Sequence, residues 1–254
     1  MKLERNSAPA IILTLVLAGS FLLLVRSPLF YSPVERTRPL RAALVDEVSA
    51  TIPDPYFTAN VTNTLTRIGY TVDYYAPKDV TVDLFKNLPS KGYGIIILRN
   101  HSTGLTGDVI ALVTSEPFDH GKYVNEQQAG LVVEAWLGSS NTTYFSITPT
   151  FVREAMQGTF PNTLLVVMGC AGLMNSEMAQ AFVARGAEVY VSWDQIVLAN
   201  QSDGGAILLI QSMTTGHTVD DAVTSATENA PSSPLYSSQL RYYPLDRGGV
   251  VLSL

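Results

Sequence analysis

The 254-residue chain predicts an α/β domain with a mostly parallel central sheet. Two observations carry that prediction. The runs Ile95-Ile96-Ile97-Leu98 and Leu164-Leu165-Val166-Val167-Met168 lack period-two alternation and read as strands buried on both faces. Between such runs lie segments with helical periodicity and helix end signals. The composition agrees: 46% hydrophobic and 15% charged residues, with mean hydropathy +0.18, exclude a disordered chain.

The elements follow in order. Residues 42–48 read as a strand. Residues 55–68 read as a helix, with Phe57, Val61, Leu65 and Ile68 on one face and Gly69 at its end. Residues 71–75 alternate like a strand, 94–98 form a buried strand, and 109–113 a second short one. Thr148-Pro149 opens a helix in cap-then-proline order, and Gly158 closes it. After the strand at 164–168 comes a helix over 176–185 with Met178, Ala181 and Phe182 toward the core. A strand follows at 188–192. Helices cover 202–215 and 218–228, the latter with Thr218 and Asp221 in a capping arrangement. Residues 250–254 read as a final strand. The folded domain spans 41–254.

The N-terminus has a different composition. Residues 8–25 carry no charge, and as a helix at about 1.5 Å per residue they reach roughly 27 Å, near the hydrocarbon thickness of a bilayer. Residues 1–26 are expected to be an anchor rather than a cleaved leader, because no small-x-small site follows Val25. Residues 27–40, with three prolines, read as a stiff, unpaired tether. Triplets at Asn60, Asn100, Asn141 and Asn200 fit glycosylation acceptors, so a single-pass protein with its domain outside the cytoplasm is expected.

Several function classes are excluded or disfavoured. A net charge of −6 argues against a nucleic-acid partner. One cysteine precludes an internal disulfide or a Cys-rich zinc site, and three histidines leave little for a metal cluster. Neither a P-loop nor a dinucleotide fingerprint is present.

What remains is a thiol and an imidazole. His101 and Cys170 each fall just past the C-terminal end of a buried strand, where open parallel sheets build their sites. On neighbouring strands both side chains share one rim. An imidazole can then take the proton of a thiol whose ordinary pKa is near 8.5, and return it to a leaving amine. Gly104, Gly169 and Gly172 let backbone approach a substrate. His120, in Asp119-His120-Gly121, follows no continuous buried strand, and His217 lies between two helices.

An apolar block ending in histidine plus a small residue, followed later by an apolar block ending in Gly-Cys, resembles the caspase-like cysteine peptidases. That group (clan CD) includes caspases, gingipains, clostripain, legumain, separase and the CHAT domains. The stretch Met178-Ala179-Gln180-Ala181-Phe182-Val183-Ala184-Arg185-Gly186-Ala187, leading into Glu188-Val189-Tyr190-Val191-Ser192-Trp193, is similar to the helix and strand after the nucleophile in CHAT and gingipain-type domains. The resemblance covers roughly residues 41–226, with Asp203, Gly216 and residues 219–223 matching its later run. It implies a three-layer αβα sandwich, a Cys170 nucleophile, His101 as general acid and base, and no cofactor or catalytic metal. The oxyanion donors it implies are the backbone N–H of Cys170 and of Ser102, where many members carry glycine. Relatives that cleave after Arg or Lys hold an acidic residue in the specificity pocket. Asp46 and Asp194 are the candidates here, with Trp193 as a possible wall. The partner implied is a protein or peptide substrate, and the 138–143 loop is a candidate site for activating cleavage. Two other readings stand beside it: a different thiol hydrolase, which would need His217, and a non-catalytic binding module of the same fold.

Overall fold

The computed structural model describes residues 38–104, 109–137, 142–233 and 235–252. The chain runs β1 (Arg41–Asp46), α1 (Pro55–Arg67), β2 (Thr71–Tyr75), α2 (Val82–Asn87) and β3 (Ile95–Arg99). It continues through β4 (Ser102–Gly104), β5 (Ile110–Pro117), α3 (Val124–Gln128), β6 (Val132–Trp136) and β7 (Thr143–Ile147). The second half comprises α4 (Pro149–Glu154), β8 (Thr163–Val167), α5 (Glu177–Ala184), β9 (Ala187–Trp193), α6 (Ala199–Thr214), α7 (Val219–Asn229) and β10 (Leu240–Tyr243).

Among the described residues, six strands form the main sheet in the order β10-β9-β8-β3-β1-β2. All pairs are parallel except β10 with β9. The period-two geometry of a strand sends successive side chains to opposite faces. Ala43, Val45, Ile96, Leu98, Leu165 and Val167 therefore join one core, with Phe85, Phe151 and Phe182 from α2, α4 and α5. Ala42, Leu44, Ile95, Ile97, Leu164 and Val166 join the other, with Phe57, Leu209 and Val223 from α1, α6 and α7. Helices on both faces are what unbroken apolar strands require, since each Ile or Leu fully buried contributes about 1.5–3 kcal/mol. The domain is thus mixed α/β with a mostly parallel sheet between helical layers.

Local signals explain the helix starts. Asp54 accepts from the Phe57 N–H, Thr148 from Phe151 and Thr218 from Asp221, so each helix begins where an acceptor satisfies an orphan donor. Gly158, which closes the α4 segment, has φ +81°.

Three features differ from the sequence expectations. The short strand expected at 109–113 is present but runs longer, as β5, and belongs to a second, antiparallel sheet, β4-β5-β7-β6. Residues 250–252 form no strand; the sheet edge is occupied instead by β10. The tether does not run unpaired to Pro39, because Arg38 is buried, ion-pairs with Glu188 and donates to the carbonyls of Asn162 and Val251. The expected anchor at 1–26 lies outside the described residues. Among those described, no helix is long and apolar enough to cross a membrane.

Candidate active site

Strands β3 and β8 are parallel neighbours, in register from Ile95–Leu164 to Leu98–Val167. Their C-terminal ends carry the chain into His101 and Cys170, and both residues line one cavity of about 240 Å³. Val48, Ile52, Met168, Val197, Leu198 and Ala199 supply its apolar wall, while Arg99, Asn100, Ser202 and Asp203 supply its polar side.

The imidazole is held from β1. Glu47, 2% exposed, accepts from the backbone N–H of His101 at 2.7 Å, and the same Oε2 lies 2.9 Å from the ring Nδ1. A neutral ring donating from Nδ1 leaves Nε2 as the acceptor, and a carboxylate at Nδ1 stabilises the ring once it is protonated. The His101 side chain remains 29% exposed. Glu47 is itself anchored, its N–H donating to the Arg99 carbonyl at 2.8 Å. The Asn100 Nδ2 donates to the His101 carbonyl at 2.8 Å.

The cysteine sits in a tightly determined turn. A Cβ on Gly169 would lie 2.9 Å from the Asn100 carbonyl oxygen and 2.9 Å from Ser102 Oγ, so only glycine lets the two strand exits lie this close. Ala171 has φ +54°, a left-handed conformation uncommon for a residue with a side chain. It is held there by its N–H bond to the Gln195 carbonyl at 2.8 Å and by the Met174 N–H donating to its own carbonyl. The Cys170 thiol donates to the Val197 carbonyl at 3.5 Å, and the Ser102 hydroxyl donates to the Cys170 carbonyl.

Two backbone N–H groups near the cysteine and histidine are left without a backbone acceptor among the described residues. Among the described residues, no acceptor takes the Cys170 N–H. The Val113 N–H donates to the His101 carbonyl, so Ser102, paired with Leu112, occupies a non-hydrogen-bonded position of the antiparallel ladder. Its N–H therefore points away from β5, at the outer edge of the second sheet.

Beneath the cavity lies a buried ionic network. Arg99, 1% exposed, donates Nε and Nη2 to the two oxygens of Asp203 at 2.8 Å, and Nη1 to Asp46 Oδ1 at 2.8 Å. Nη1 also reaches Ser49 Oγ, and Nη2 the Ile52 carbonyl. Burial alone would lower the Arg99 pKa, but its bonds to Asp203 and Asp46 hold it above the ordinary guanidinium value. Burial pushes the Asp203 carboxyl up, against the pull of Arg99.

This network corrects the sequence-based pocket assignment. Asp46 offers no free carboxylate to a basic substrate: its oxygens accept from Arg99, the Ser49 N–H, the Ser49 hydroxyl and Tyr74. Asp194 lies elsewhere, accepting from the Gln239 N–H at 2.8 Å and from Arg241 at the β9–β10 crossing. Trp193 is a core residue whose indole N–H donates to Ser202 Oγ at 3.1 Å, and Ser202 in turn donates to the Met168 carbonyl. It braces the cavity from behind. His120 lies edge-on to Phe118 away from the cavity, and His217 bonds to its own helix end. The 138–141 part of the proposed processing loop lies outside the described residues.

Sequence reasoning missed Glu47 and passed over the role of Arg99. The acidic pair Asp46-Glu47 at a strand end was the available signal, but which of the two faces the histidine depends on β1–β3 pairing. Comparison of the chain with protein-family models and with curated proteins found no match.

Proposed function

We propose that this chain is a caspase-like cysteine peptidase in which Cys170 is the nucleophile, His101 the proton carrier and Glu47 the residue that orients the imidazole. The observation that carries the proposal is the convergence of three strand ends. β1 brings a buried carboxylate to Nδ1 of His101, while β3 and β8 bring that ring and the thiol to one cavity. The strand order and flanking helices support the αβα-sandwich reading.

The chemistry follows from those groups. Nε2 of His101 accepts the thiol proton as sulfur attacks the scissile carbonyl carbon. The oxyanion is met by the N–H groups of Cys170 and Ser102. The imidazolium, stabilised by Glu47, gives its proton to the departing amine, leaving a thioester. Water then attacks the thioester with His101 again accepting a proton. The acid departs and the thiol is restored. The apolar segment at 8–25 would tether this activity to a membrane, with the domain outside the cytoplasm.

One observation favours a second reading. The thiol hydrogen bonds to the Val197 carbonyl rather than to His101, as in a non-catalytic module or a latent enzyme. Alkylation of the single cysteine by iodoacetamide separates the two. The full-length protein and its His101→Ala variant are compared between about pH 5 and 9. Rapid alkylation near neutral pH that collapses without His101 supports the peptidase reading. Slow alkylation that rises only near the ordinary thiol pKa of about 8.5 and ignores His101, both before and after limited proteolysis, refutes it.

A further inference from the structure

Resting on the thiol reading above, we propose that the cavity beside Cys170 receives an uncharged, apolar side chain of the substrate, the one on the acyl side of the bond to be cut. A cavity of about 240 Å³ is smaller than the usual site for a whole small molecule and suits one side chain. It adjoins both the thiol and the imidazole, where the residue bearing the attacked carbonyl must lie.

The selection against acidic side chains comes from Arg99. Its guanidinium has five N–H donors, and all five are used: one from Nε to Asp203, two from Nη1 to Asp46 and Ser49, two from Nη2 to Asp203 and the Ile52 carbonyl. A substrate carboxylate entering the cavity finds a cation with no donor left and must give up its hydration without compensation.

A basic side chain is the stronger charged competitor, because one guanidinium and two carboxylates leave the network a net charge of −1. The oxygens of Asp46 are filled by Arg99, Ser49 and Tyr74, and Asp203, which lines the cavity, gives one bond from each oxygen to Arg99. A lysine would have to share Asp203 with the guanidinium already bound to it. What the cavity does offer is aliphatic surface, and two of its residues stand at the mouth: Ile52 is 47% exposed and Leu198 38%. Apolar groups left open to water beside a nucleophile gain most when covered by an apolar ligand. One acceptor bordering the cavity, Asn100 Oδ1, is buried without a partner among the described residues, so an amide side chain is a further competitor to be tested.

The test uses the full-length protein and four peptidyl chloromethyl ketones identical except for the terminal residue: Leu, Asp, Lys or Asn. In each, the Cys170 thiolate displaces chloride to form a thioether, read by mass spectrometry of the intact protein. The expected result is labelling by the Leu probe at least about tenfold faster than by the other three, after normalising to iodoacetamide, since one well-buried aliphatic side chain contributes more than a decade in rate. In Ile52→Asp the Leu probe's normalised advantage shrinks. Faster labelling by the Lys, Asp or Asn probe overturns the proposal, as does equal labelling by all four. If iodoacetamide itself reacts slowly and independently of His101, both before and after limited proteolysis, it is the thiol reading that falls.

Discussion

Replacing Glu47 by Gln tests whether the carboxylate works as more than packing. The substitution keeps volume and leaves an amide oxygen able to accept from the His101 N–H and from Nδ1, the two bonds now at 2.7 and 2.9 Å. What it removes is the negative charge, in a place where Glu47 is 2% exposed and water screens little. Hydrogen bonds to a charged partner are worth about 1.5–3 kcal/mol and neutral ones about 0.5–1.5 kcal/mol. The bond at Nδ1 strengthens when the ring becomes cationic, so the difference between the two, roughly 1–1.5 kcal/mol, is lost, a factor of about 5–13 in rate. The assay is the second-order rate of Cys170 alkylation at neutral pH, with melting temperature measured in parallel. A folded Glu47→Gln protein that alkylates at the native rate, while His101→Ala does not, would refute the orienting role.

Three further outcomes are expected. Arg99→Met strands two buried carboxylates, Asp46 and Asp203, and should cost about 3–5 kcal/mol in urea denaturation, partly restored by adding Asp46→Asn and Asp203→Asn; a loss below about 1 kcal/mol would show that the network contributes little. Gly169→Ala drives a methyl against the Asn100 carbonyl and Ser102 Oγ, so a destabilisation of about 1–3 kcal/mol together with a fall in Cys170 reactivity is expected, and unchanged values in both measurements would contradict the close approach. The Asp73 carboxyl is held below the usual range first by its hydrogen bond from Tyr93 and then, against burial, by Arg41. The native state thus binds that proton less readily than the unfolded chain, so the stability is present above the unfolded value near 3.8 and is lost as pH falls through the lower folded value. Tyr93→Phe should flatten this acid loss in denaturation midpoints taken between about pH 2 and 6, and identical slopes in the two proteins would count against it.

Much of the main sheet was legible because its strands announce themselves locally. A run such as Ile95-Ile96-Ile97-Leu98 has no polar face to present to water, so it must lie between two layers, and its exit points become the candidate site. Pro55 after Asp54, and Pro149 after Thr148, mark helix starts for reasons contained within four residues. The second sheet was less visible. β6 and β7 are short antiparallel segments whose pairing partners come from the chain between β3 and β8. β10 was missed because Leu240–Tyr243 becomes a strand only by pairing with β9.

The site divides along the same line. The types and spacing of His101 and Cys170 were determined by the sequence, because a thiol and an imidazole each following an apolar strand can be recognised one strand at a time. Tertiary structure alone decided that β3 and β8 are neighbours, and that Glu47 rather than Asp46 turns to the ring. It also decided that Asp46 and Asp203 both bond to Arg99. These are contacts between residues roughly 50 to 100 positions apart, set by sheet order and register, and no local periodicity encodes them.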